Sequence, residues 1–232
     1  MKSQLKPWPL QITIGLLVST LASIKMGHLI GSRFAFFSTA SLLAPLAALL
    51  GGLPGIAGVI LGKQLLTAGT VAGNLSSLSV YHIPTVCASL YATALWAQGR
   101  SARPLVRFTF ALIPLVAMLL FLSDEQGAAA GAYTLFWLIP MISALVPHAN
   151  GWLHALATTF TAHAVGSVLW MYTHTMTTEL WLGLIPIVCY ERLLLGTTLW
   201  LTAHATQVVV TYIQARSVKN AHCTTPLHQE SV

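Results

Sequence analysis

Lys63 lies inside the apolar run Ile56–Leu66, IAGVILGKQLL, with no acidic residue within helical reach. A charge at mid-bilayer depth costs several kcal/mol, so intramembrane ionisable groups face a cavity, a partner or a substrate path. The chemistry open to a lone ammonium there is recognition of an anion, with Gln64 beside it in the candidate set. Arg192 offers a second cation, and the Glu191-Arg192 pair sits in another apolar stretch. The competing structural reading pairs Lys63 with Glu179 or Glu191 across a helical bundle.

Histidines and aromatic residues gather in the C-terminal third. His154, His163 and His174 lie in or beside the run Gly151–Tyr172. His163 and His174 share a helical face but stand about 16 Å apart along the axis, so one metal cannot be held by that pair. Thr197, Trp200, His204, Gln207 and Thr211 form a polar stripe at helical period. Trp137, Trp152, Trp170, Trp181 and Trp200 fall where interfacial belts are expected, and Trp170 and Trp200 are the candidates for stacking on a ligand. The substrate-binding set read from the sequence is thus Lys63, Gln64, His82, His163, Trp170, Glu191, Arg192, Trp200 and His204.

Motifs for catalysis are missing. The chain has no H-E-x-x-H, G-x-S-x-G or P-loop, and five acidic residues in all, so carboxylate-driven or two-metal chemistry has little to work with. No cofactor is expected. Two rival readings stay open: a haem or metal protein using His82, His163, His174 and His204, and a lipid-modifying membrane enzyme built on Glu191-Arg192.

These residues must be positioned by helices in a membrane. Hydrophobic residues make up 56% of the chain, charged residues 7%, and mean hydropathy is +0.75, beyond what a soluble core of this size needs. The expected fold is all-α: a polytopic bundle of six to eight transmembrane helices in residues 1–215, then a polar, disordered tail over 216–232. Candidate spans are Leu10–Met26, Phe34–Leu50, Pro54–Val71, Val80–Trp96, Val106–Leu122, Ala128–Val146 and Gly151–Tyr172. The last segment, Leu180–Ala215, is too long for one straight crossing, and Pro186 with Glu191-Arg192 predicts a break into two helices near Arg192.

Arg100, Arg103 and Arg107 mark one loop as cytoplasmic, and Asp124 and Glu125 mark the next as external. Both termini then lie in the cytoplasm for an even number of spans, in the inner (plasma) membrane. The net charge of +6 reflects this topology and contact with anionic lipid, not nucleic acid. Cys87, Cys189 and Cys223 are scattered without paired spacing, which gives no disulfide framework.

Small residues mark where helices touch in lipid. Gly15, Ser19, Ser23 and Gly27 form one stripe, Ala40, Ala44 and Ala48 another, and Gly51, Gly52, Gly55, Gly58 and Gly62 line the turn and helix that follow. The stretch from Gly31 to Trp96, with FFSTASLLAPLAALLGGLPGIAGVILGKQLL and then YHIPTVCASLYATALW, resembles the substrate-binding S components of energy-coupling factor transporters. The end of the chain, TTELWLGLIPIVCYERLLLGTTLW, is similar to the last two helices of some of them. The first stripe resembles their A-x-x-x-A docking motif, with Gly and Ser in place of Ala. The resemblance implies a small helical membrane protein that captures a vitamin or related micronutrient and is moved by a transmembrane coupling subunit driven by ATPases. The chain carries no ATP-binding motif of its own.

Overall fold

The computed structural model describes residues 40–68 and 75–224, with the isolated position 12, and every regular element among them is helical. Lys63 and Gln64 fall on described helical backbone, but their side chains lie outside the described residues, as does the Gly15–Gly27 stripe.

The first helix, α1 (Ala40–Ala68), breaks at Gly52, whose φ of 61° and ψ of −148° are non-helical and open to glycine at little cost. Beyond it the chain doubles back. Gly55 sits so close over the first arm that a Cβ there would stand 2.3 Å from the Ala47 carbonyl oxygen. In a straight helix those two positions would be about 12 Å apart. Ala44, Ala47 and Val59 form one buried cluster, so α1 is a helical hairpin of arms 40–51 and 53–68 joined at the Gly-Gly-Leu-Pro turn. The division falls between the spans expected at Phe34–Leu50 and Pro54–Val71.

Next come α2 (Leu75–Tyr91), which widens into a π turn at Ala92–Trp96, and a 3-10 turn at Gly99–Ser101. Then follow α3 (Pro104–Leu122), a short α4 (Glu125–Ala129), a 3-10 segment (Gly131–Trp137), α5 (Leu138–Leu145), α6 (Gly151–Thr173) and α7 (Thr178–Thr224). Among the described residues three stretches are long and apolar enough to cross a membrane: Leu42–Gly62, which contains the Gly52 bend, Pro104–Leu122 and Thr178–Ile213. The apolar segment Gly131–Leu145 is shorter.

Two expectations need correction. The span expected at Ala128–Val146 is not one helix. Asp124 caps α4 by accepting from the Gln126 and Gly127 amides at 3.0 and 3.1 Å, and a tight 3-10 segment precedes α5. The break expected near Arg192 is absent, and α7 runs unbroken for 47 residues, about 70 Å. Pro186 forfeits one backbone bond inside it, and Glu191 and Arg192 are buried against a neighbouring helix rather than exposed to hydrocarbon. The helix also continues through 216–224, into the segment read as a polar tail, and 225–232 lie outside the described residues.

At the centre stands α6, which packs against α2, α3, α5 and α7. Its sequence suits burial on every side. Ala155, Ala157, Ala162 and Ala164 leave room for close neighbours, and Thr158, Thr159 and Thr161 return their hydroxyls to carbonyls of their own helix at 2.8 Å. Gly196 of α7 comes so near that a Cβ would stand 3.0 Å from the Leu156 Cα.

The elements run up and down, which gives the bundle two ends. At one end the Gln126 amide oxygen accepts from the Thr178 amide at 3.0 Å and from its hydroxyl at 2.7 Å, tying the loop with Asp124 and Glu125 to the α6–α7 connection. At the other end lie the Arg100 and Arg103 turn and the loop before Gly151, where Trp200 packs over Gly151.

Candidate functional site

Of the residues singled out in the sequence, the structure brings together His163, Glu191 and Arg192, midway along the α6–α7 contact. His163 is 2% exposed, Glu191 4% and Arg192 0%. Arg192 Nη2 stands 3.7 Å from Glu191 Oε2, and Nη1 donates to the Thr159 carbonyl at 3.3 Å. The Arg192 charge reaches both His163 on α6 and Tyr133 on the 3-10 segment.

An aromatic cluster lies between this set and the acidic end of the bundle. Tyr133 is its hub, with ring centroids 5.4 Å from His163, 5.0 Å from Trp181 and 6.2 Å from Trp137, and with its hydroxyl 3.3 Å from Ser167 Oγ. Phe121 stacks on Tyr133 at 5.6 Å and meets Trp137 and Trp181 edge-on at 5.3 and 5.0 Å. Four elements therefore converge here: α3, the 3-10 segment, α6 and α7.

Within the cluster, the indole N–H groups of Trp137 and Trp181 have no hydrogen-bond partner among the described residues, although the two side chains are 0% and 1% exposed. A buried donor left unmade costs about 1–3 kcal/mol, so such groups in a native fold call for an acceptor. The arrangement as a whole combines a buried cation, two indole donors and the Ser167 hydroxyl in apolar surroundings. Chemically its donors suit a group that bears an acceptor or a negative charge.

The other sequence candidates lie elsewhere. Trp170 stacks face to face on the exposed His174, centroids 3.8 Å apart, at the acidic end. Trp200 stacks on the exposed His204 at 6.1 Å and sits over Gly151. The two tryptophans thus mark opposite ends of α6, about 28 Å apart along its axis. His82 is half-buried on α2. Trp137 and Trp181, expected in an interfacial belt, are instead core residues of the site. Among the described residues, no group of three or more His, Cys, Asp or Glu side chains is placed to hold a metal ion.

Sequence reasoning placed Arg107 in a cytoplasmic loop, but it is 6% exposed inside the first turns of α3. Its guanidinium donates to the Ala102 carbonyl at 3.3 Å, to those of Ala144 and Val146 at 3.2 and 3.4 Å, and to that of Gly99. One fork thereby satisfies the last carbonyls of α5 and closes the basic end. Beside it, Ser143 Oγ meets His154 Nδ1 at 3.3 Å, and the Tyr91 hydroxyl donates to the Pro140 carbonyl at 3.5 Å. These contacts join α2, α5 and α6 at the basic end. An open groove of about 380 Å³ between α3 and α6, walled by Leu112, Val116, Leu120, Val165 and Leu169, offers no hydrogen-bonding side chain.

No family model, curated protein or solved structure matches the chain.

Proposed function

We propose that the chain is a multi-pass inner-membrane protein of six to eight crossings that captures a small anionic molecule, of the vitamin or micronutrient class, for uptake. The observation that carries this reading is the buried set of His163, Glu191 and Arg192 under an aromatic cluster whose two indole donors await an acceptor. Arg192 is buried with Glu191 at 3.7 Å, and a desolvated guanidinium close to two indole donors is chemistry that recognises an anionic group. Arg192, more than Lys63, is the cation on which the reading rests.

The position of the cluster also supports capture. It lies toward the end that carries Asp124 and Glu125, the end assigned to the outside by the charge asymmetry of the loops. Both termini then belong to the cytoplasm, and α7 leaves the bundle at the basic end. The resemblance to S components adds a transmembrane coupling subunit with ATPases as the partner that supplies energy.

Mass spectrometry of small molecules released from the purified full-length protein tests the proposal. The expected result is one anionic species at near-equal amounts with wild-type protein, lost in Arg192→Met while that variant remains folded in detergent. Release of nothing, or of the same species in equal yield from Arg192→Met, would overturn it.

A further inference from the structure

We propose that two copies of the chain pair side by side along α7, through an apolar stripe that runs the length of this helix and out of the membrane at the basic end. The inference is independent of the capture reading and rests on the length and the outer face of one helix.

The apolar part of α7, Thr178–Ile213, has 36 residues, and at helical rise it is about 54 Å long. A hydrocarbon core of about 30 Å, crossed at a tilt of up to about 40°, accommodates no more than about 39 Å of helix. Roughly ten residues of apolar helix must therefore emerge from it. They emerge at the basic end, because Gln126 ties Thr178 at the acidic end, while Trp200 already lies over Gly151, the first residue of α6. Beyond Trp200, Leu201 is 53% exposed, Val208 56% and Tyr212 65%. Apolar side chains grouped in this way outside hydrocarbon mark an interaction surface.

The spacing of the stripe points to a helical partner. Leu180, Ile187, Leu194, Leu201, Val208 and Ala215 follow one another at intervals of seven residues, and all are exposed. On a straight α-helix such a repeat drifts by about 20° per interval, so a second helix wound left-handed about α7 is what meets every member. In the emergent part Ala205 and Tyr212 are exposed as well and complete a 4-3 pattern with Leu201, Val208 and Ala215. Ala203, on the opposite face of the same turns, is buried in the bundle.

A second copy of the chain fits this surface. Copies inserted with one topology send α7 through the membrane in the same direction, so a twofold axis along the membrane normal sets each residue of the stripe against its own counterpart in parallel register. The stripe carries no charge that would repel its counterpart. Its half-exposed side chains offer roughly 600 Å² on each copy, against the about 800 Å² per partner of a standard stable interface. Flanking Tyr190 and Val209, 59% and 55% exposed, extend the area on either side.

Light scattering of the purified full-length protein in detergent, together with disulfide crosslinking in liposomes, tests the pairing. Wild-type protein is expected to be a dimer. Val208→Glu places like charges against each other across the seam, and is expected to raise the dissociation constant at least a hundredfold without lowering Tm, because the position is exposed within one copy. With Cys87, Cys189 and Cys223 replaced by Ser, Val208→Cys is expected to crosslink on mild oxidation and Thr206→Cys, on the opposite face, to stay monomeric. A monomeric wild-type protein, an equally tight dimer of Val208→Glu, or equal crosslinking at the two positions would overturn the proposal. So would a Val208→Cys protein that neither crosslinks nor reacts with a water-soluble maleimide, since lipid or another part of the chain would then cover the stripe. The cysteine pair decides the matter should Val208→Glu not fold.

Discussion

Replacing Gly127 with Ala is the sharpest test of how the acidic end is built over the aromatic cluster. A Cβ at this position would stand 2.0 Å from the Phe121 carbonyl oxygen and 3.2 Å from the Met171 sulfur. Backbone cannot swing aside as a side-chain tip can, so α4 would have to move off the end of α3 by about 1.4 Å to restore ordinary contact. Overpacking of this kind costs about 1–3 kcal/mol, or a fall in Tm of roughly 2–12 °C for a chain of this size. The shift would also strain the Gln126–Thr178 bonds, which hold the two loops together at the same end. Gly183→Ala is the matched control, because a Cβ there meets nothing within 4 Å and alanine is the better helix former by about 1 kcal/mol. Thermal unfolding in detergent, with acrylamide quenching of tryptophan fluorescence, reads both effects. Gly127→Ala is expected to melt lower and quench faster, and Gly183→Ala to melt at the same temperature or higher. Equal melting of Gly127→Ala and wild-type protein would refute the close approach of α4 to Phe121.

Three further outcomes are expected. Arg107→Lys should destabilise the protein by about 2–4 kcal/mol in chemical or thermal unfolding, because a single ammonium cannot reach the carbonyls of Gly99, Ala102, Ala144 and Val146 together. Gly55→Ala should lower Tm by several degrees, since its Cβ would meet the Ala47 carbonyl at 2.3 Å; an unchanged melting curve would mean that the two arms of α1 do not touch there. Trp181→Phe removes an indole N–H that has no partner among the described residues, so the fold should lose no more than about 2 kcal/mol while the yield of co-purifying anion falls at least tenfold. Equal anion yield from that variant would show that the indole is not a ligand donor.

Much of the helical plan was legible in the residues. The apolar runs that became α3 and α6 were found within two residues of their ends, and the Gly-Gly-Leu-Pro turn separated the arms of α1. The buried histidine and the Glu191-Arg192 pair were also singled out, because ionisable groups are rare in such runs and stand out against them. The sequence misread α7, where proline and two adjacent charges suggested a break. Charges end a transmembrane helix only when they face hydrocarbon, and whether they do depends on what packs beside them.

Composition and periodicity by themselves determined that the chain is helical, strongly apolar and marked by a few ionisable residues at fixed places along it, since each of these depends on neighbours in sequence. Which of those residues meet was decided by tertiary structure alone. Trp137 and Trp181 read as membrane-surface residues until the 3-10 segment and the start of α7 turned them onto Phe121 and Tyr133. Arg107 read as a loop cation until the end of α5 presented its carbonyls to it. Trp170 and Trp200 read as candidates for stacking on a ligand, and the packing of α6 against α7 sets them at opposite ends, each stacked on a histidine of its own helix or its cap. A one-dimensional pattern fixes the depth and face of a side chain on its own helix, but contacts between helices depend on how those faces are rotated and set against one another, and that is settled only by packing.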